Sequence, residues 1–204
     1  MAPFSRRALA GLLLLLALAA PPGAGATTPR EPVEELTALL LDVMRNAEAL
    51  GFGGRYDRLA PVLTRVFNFP VMARIAVGGH WGGLGPEQRE RLVDAFTRMS
   101  VATYADRFDG YSGESFEILG EGPGPRDTVL VQTTIVRPGE EDVPINYMMR
   151  EDDGAWRIVD VFLEGRYSEL AMRRSEYGSV IERQGFDRLV RALEEQVARM
   201  EAGA

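Results

Sequence analysis

Apolar residues in the first half of the chain recur at helical spacing. Val33, Leu36, Leu40, Val43, Ala47 and Leu50 form one stripe, with Thr28 as the expected N-cap, Pro32 in the first turn and Gly51 as the stop. Tyr56, Leu59, Leu63 and Val66 continue the period, but Pro61 falls among them, so two short helical pieces are expected there rather than one rod. Asn68 with Pro70 reads as an N-cap and first-turn pair opening a short helix through Met72, Ile75 and Ala76 that ends at Gly78-Gly79. Gly85-Pro86-Glu87-Gln88 opens the longest amphipathic run, with Leu92, Val93, Phe96, Met99, Thr103, Tyr104 and, at its end, Phe108 on one side.

After Gly110 the period changes from helical to alternating. Ser115 to Leu119, Thr128 to Val136, Val143 to Arg150 and Ala155 to Leu163 are rich in β-branched and aromatic residues, which predicts four antiparallel strands. Pro138-Gly139 and Asp152-Asp153-Gly154 supply turn residues between the last three. Alternation puts Val129, Val131, Thr133 and Ile135 on one face of the second strand, and Ile145, Tyr147 and Met149 on one face of the third. Ser168 to Ile181 and Phe186 to Met200 return to helical spacing across Gly185. The expectation is an α+β domain: N-terminal helices, a four-stranded curved antiparallel sheet, then C-terminal helices.

Composition alters this picture at the N-terminus first. Arg6 and Arg7 precede an apolar run from Ala8 to Ala20, followed by Pro21, Pro22 and the small residues Ala24-Gly25-Ala26. That order is a secretory signal peptide, and a run of roughly 13 residues is short of the about 20 that a spanning helix needs. Residues 1–26 are therefore read as a signal peptide and residues 27–204 as one exported domain, with no integral membrane segment. Without cysteine there is neither disulfide framework nor thiolate metal site, so the fold stands on its own core. The whole chain carries 23 basic and 30 acidic residues, net −7; loss of Arg6 and Arg7 with the leader leaves 21 against 30, net −9. An acidic surface argues against nucleic acid and against electrostatic docking on anionic lipid.

Candidate chemistry is sparse. There is one histidine, His80 in the run Gly79-His80-Trp81, and no nucleophile elbow or phosphate-cradling glycine loop. His80 reads as a loop residue without catalytic partners. Asp160, by alternation on the same face as Trp156 and Ile158, is either satisfied by Arg150, Arg166 or backbone amides, or is a general base in an apolar pocket. Methionine suits an adaptable apolar lining, and Met72, Met99, Met148 and Met149 are candidates for it.

Several short segments in order carry a family resemblance: Asn68-Phe69-Pro70-Val71-Met72-Ala73-Arg74-Ile75-Ala76, Trp81, Gly85-Pro86-Glu87-Gln88-Arg89, Thr103-Tyr104, Trp156-Arg157-Ile158-Val159-Asp160-Val161, Glu164-Gly165, Arg174-Ser175-Glu176-Tyr177 and Gly185-Phe186-Asp187-Arg188-Leu189. Together they resemble the MlaC or toluene-tolerance family, and Ser168-Glu169-Leu170-Ala171 is similar to its hopanoid-associated HpnM branch. Gly85, Asn68 and Tyr167 depart from the common pattern. The resemblance implies a sheet of the nuclear-transport-factor type (NTF2-like) enclosing an apolar cavity. It further implies a periplasmic carrier of phospholipid or other membrane lipid, without a cofactor, serving an inner-membrane lipid transporter complex and an outer-membrane lipoprotein. The cavity is expected between a strand face (Val129, Val131, Ile135, Ile145, Tyr147, Met149, Val161) and helices carrying Met72, Ile75, Trp81, Phe96, Met99 and Tyr104. Two rival readings are an isomerase or lyase on a similar sheet with Asp160 as base, and a non-lipid adaptor that grips an envelope protein.

Overall fold

The computed structural model describes residues 28–203, so the leader expected over residues 1–26 lies outside the described residues. Helix α1, Glu31–Arg45, buries Val33, Leu36, Leu40 and Val43 completely, as their spacing requires. It starts after Arg30 rather than at a Thr28 cap, and Pro32 in its first turn gives up an N–H that has no helical partner anyway. Ala47 and Leu50 fall beyond its end at Asn46, in α2, Ala47–Val66.

Within α2 the break sits at Gly51, whose φ of 59° and ψ of −177° are open in practice only to glycine. Pro61, expected to split this region, is carried inside a continuous helix. Both Pro61 and Asp57, whose carbonyl loses its partner, are exposed, so water can take the missing bond. Arg55 is buried and donates to the carbonyls of Ala105 (2.8 Å) and Ala47 (3.2 Å), tying both sides of the break to the end of α4, Pro86–Arg107.

Between α2 and α3, Phe69–Val77, the chain touches the sheet. Phe67 makes a parallel bridge with Ile158, and the Asn68 N–H donates to the Ile158 carbonyl at 2.9 Å. The Asn68 side chain caps α3 by accepting from the Val71 N–H at 3.2 Å, as expected, and donates to Asp152 at 2.9 Å. A 3₁₀ turn, Gly78–Gly83, leads to α4, whose Gly85 N–H donates to the Gln88 side chain at 3.0 Å. Helix α4 packs on α2, α3 and α6, Phe186–Gly203, which explains why Ala95, Val101, Ala102 and Ala105 are buried beside the expected stripe of Leu92, Phe96 and Met99.

The sheet has five strands, not four: β1 Ser115–Pro123, β2 Val129–Val136, β3 Val143–Asp152, β4 Ala155–Leu163 and β5 Tyr167–Ser168, antiparallel in that order and unclosed. After β4 the chain reverses through Glu164 and Gly165, both at positive φ, so that Tyr167 and Ser168 pair with Leu163 and Phe162. Two residues are too few to show an alternation, which is why this strand escapes the sequence pattern. Register pairs Val129 with Met149, Val131 with Tyr147 and Thr133 with Ile145, confirming the expected faces of β2 and β3. Bulges at Leu119 in β1 and Val159 in β4 increase the local twist and curve the sheet. Helix α5, Glu169–Gln184, follows β5 directly and packs on α3, α6 and β4.

Candidate functional site

The bulge at Val159 corrects the expected placement of Asp160. Ile158 pairs with Met149 on the helix-facing side, whereas Asp160 pairs with Met148, so Asp160 and Ile158 look to opposite faces. Met148 therefore does not share a lining with Met149. Neither arginine satisfies Asp160: its carboxylate accepts from Ser168 Oγ at 2.6 Å and from the N–H groups of Val161 (2.8 Å) and Leu170 (3.2 Å). Burial raises its pKa above the ordinary aspartate value, opposed first by the Ser168 hydrogen bond. Ser168 in turn caps α5 by accepting from the Ala171 N–H at 3.0 Å. Asp160 thus anchors the strand-to-helix passage and lines none of the hollows described below.

On the opposite face the sheet and α4 leave a cavity of about 210 Å³. Ile135, Ile145, Tyr147, Val161 and Leu163 line it from the strands, Thr103, Tyr104, Arg107 and Phe108 from α4, and Glu169 from α5. Behind Tyr104 lies a void of about 20 Å³, bounded by Phe67, Phe69, Met72, Phe96, Ser100, Thr103, Tyr104, Glu169 and Arg173. A third hollow, a groove of about 720 Å³, is bordered by Pro32 and Glu35 of α1, Thr64 to Val66 of α2, Phe67 to Pro70, Val93, Thr97 and Ala155 to Arg157.

Among the residues singled out from sequence, Tyr104, Ile135, Ile145, Tyr147 and Val161 meet at the sheet cavity, and Met72 and Phe96 border the void with Tyr104. Met99, Val131 and Met149 are completely buried in packed core and line neither. Val129 is half-buried and paired with Met149. Trp81 stands half-buried outside this group, with the Arg89 guanidinium 5.3 Å from its ring centre. Ile75 points outward and is 36% exposed. Sequence reasoning missed Phe67, Phe69, Ser100, Arg107, Leu163, Glu169 and Arg173, and placed Thr103 and Phe108 on the apolar stripe of α4 without assigning them to the site. Leu163 could have been found, since it alternates with Val161; Phe67 and Phe69 flank Asn68 at strand spacing, but nothing local says where they point.

Two charged groups line the sheet cavity: Arg107, exposed at its edge, and Glu169, which is paired. Glu169 and Arg173, one turn apart on α5, form a 2.5 Å ion pair whose side chains are only 18% and 15% exposed. Arg173 also donates to Tyr177 at 2.8 Å and lies 5.5 Å from the centre of the Phe96 ring. Burial acts to lower the Arg173 pKa, but Tyr177 and Glu169 outweigh it and hold the guanidinium above its ordinary value. Burial pushes the Tyr104 and Tyr147 hydroxyls up, so both stay neutral in the working range of the protein. The cavity is therefore a half-open, mainly apolar hollow, with Arg107 at its edge and the Glu169 end of the ion pair at one wall. His80 is half-buried, 3.6 Å from Glu182, in a surface groove shared with Arg174 and Ser175. Among the described residues no cluster of three or more His, Asp or Glu could hold a metal, and no helix is long and apolar enough to cross a membrane.

Residues 34–195 match the family described as MlaC protein. Among solved structures, the chain is similar to the phospholipid-binding protein from Ralstonia solanacearum, solved in complex with a phospholipid. The two share 20% identity and a TM-score of 0.73 over 87% of this chain and 99% of that one, a likeness of fold. No curated protein sequence matches the chain.

Proposed function

The chain belongs to the MlaC family, and on that footing we propose that it is a non-enzymatic lipid carrier that shelters acyl chains between its sheet and α4. The observation that carries the reading is the cavity of about 210 Å³ left between two apolar faces, those of β2 to β4 and α4. Where the sheet and α4 could have packed directly, a half-open hollow with apolar strand walls is left instead, and ligand sites take this form. A diacyl lipid of about 30 methylenes at about 0.8 kcal/mol each cannot cross water freely. It gains almost nothing on passing from a bilayer to an equally apolar chamber, so transfer is close to thermoneutral and its direction comes from partners.

The cavity lies below the about 300–1,000 Å³ of ordinary ligand sites. On this reading, loading a diacyl lipid requires the sheet and α4 to move apart. The carrier works in the periplasm after removal of residues 1–26, collecting from or delivering to an inner-membrane transporter complex and an outer-membrane lipoprotein. Net charge −9 suits this division of labour, because an acidic carrier is not held electrostatically on anionic bilayers and docks where a partner recruits it.

Native mass spectrometry of the chain purified from periplasm without detergent tests both parts. Expected is a species beginning near Thr27 with lipid bound. A mature chain that never carries lipid rejects the carrier, and an intact Met1 in the membrane fraction rejects the location.

A further inference from the structure

The three hollows follow one another, and aromatic rings divide them. Phe67 and Phe69, stacked with centres 5.4 Å apart, border both the groove and the void. Tyr104 borders both the void and the sheet cavity, presenting an edge to Phe67 at 5.7 Å and stacking on Phe108 at 5.7 Å. Thr103 and Glu169 border both hollows. On the sheet side the strands contribute apolar side chains; behind the ring Ser100 and the Arg173 guanidinium are added to the lining of the void.

Resting on the lipid-carrier reading, we propose that Tyr104, backed by Phe67, is the end wall that sets how long an acyl chain the site accepts. With the ring in place a chain stops in the sheet cavity, beside Glu169 and short of Arg173. Methylenes beyond that length stay outside, and each one left in water lowers affinity relative to the bilayer by about fourfold. Removing the ring joins the cavity to the void, whose remaining walls include Phe69, Met72 and Phe96, and opens the way toward the groove beside Trp156.

The test loads the full mature chain, stripped of lipid, from vesicles of equal dimyristoyl and distearoyl phosphatidylcholine, and measures bound lipid by mass spectrometry. The wild-type chain should favour the shorter lipid. Tyr104→Leu should raise the long-to-short ratio about tenfold, the equivalent of nearly two more sheltered methylenes. Tyr104→Phe, which keeps the ring, should leave the ratio unchanged. Thr103→Ala, at a half-buried residue bordering both hollows, widens the same passage without disturbing the aromatic row and should raise the ratio less, which keeps the test decisive if Tyr104→Leu does not fold. Loading with wild-type ratios in both Tyr104→Leu and Thr103→Ala overturns the wall. So does a shift in Tyr104→Phe equal to that in Tyr104→Leu. Absence of either lipid from the wild-type chain overturns the carrier reading itself, and the wall with it.

Discussion

The carboxylate of Asp160 holds the start of α5 in place through Ser168 and the Leu170 N–H, and its own strand through the Val161 N–H. Asp160→Ala leaves these donors unsatisfied in a buried place and should cost about 2–4 kcal/mol of stability in urea unfolding. Asp160→Asn keeps one acceptor oxygen but turns an amide N–H₂ toward Ser168, and should cost less. The pH dependence has a definite sign. Because burial raises the folded-state pKa of Asp160, folding favours its protonated form; that contribution is fully present below the ordinary aspartate pKa and is lost as pH rises through the raised one and the carboxyl ionises. The stability of wild type relative to Asp160→Asn should therefore fall as pH rises through that window; a difference that grows instead would contradict the assignment. Backbone amides as partners were among the alternatives open from sequence. Arg166 was another, but it lies over the ring of Tyr167, 4.9 Å from its centre, and pairs loosely with Glu164 at 3.5 Å.

Two breakers in α2 behave oppositely, and the difference is in their surroundings. Gly51 occupies a conformation that other residues reach only under strain, so Gly51→Ala should destabilise by about 1–3 kcal/mol although a methyl group there would meet no atom within 4 Å. Pro61 merely forgoes one hydrogen bond at an exposed position, so Pro61→Ala restores it and should stabilise by on the order of 1 kcal/mol. Paired urea midpoints for the two variants check both signs. The β4 bulge is a similar local event with a wider effect: one extra residue, Val159, returns Val161 to the face of Tyr147 and turns Asp160 away from it. Alternation read along β4 without the bulge puts Asp160 beside Ile158, which is the error that made a general base conceivable.

The cavity distinguishes residues that share one strand face. Ile145 lines it, whereas Val131, two positions from Ile145 in register along the same face, is completely buried in packed core. Val131→Trp should therefore cost about 1–3 kcal/mol or more by overpacking. Ile145→Trp should fill tail space, reducing co-purified lipid while changing stability by less than Val131→Trp does. Lipid content by extraction and thermal unfolding on the same samples separate the two; a full lipid load in a folded Ile145→Trp variant would place the tails elsewhere. Asn68 and Phe67 join the helices to β4, and α6 packs on both α4 and α5. Unfolding is accordingly expected to be a single transition by far- and near-ultraviolet circular dichroism.

Periodicity along the chain was enough to place α3, the core of α1, and α4, β2 and β3 with their apolar faces, because each rests on which side of one element is apolar, a property written locally; the stripe expected through Ile75 in α3 and past Arg45 in α1 did not hold. The ordered short segments were enough to indicate the family. Three things were settled in space: the outward turn of Ile75, the enclosure of Phe67 and Phe69 between groove and void, and the gap between the sheet and α4. A gap is the distance between two faces, each of which would look equally apolar if they touched. No single segment encodes that distance; it is set by how α2, α3 and α6 hold α4 away from the strands.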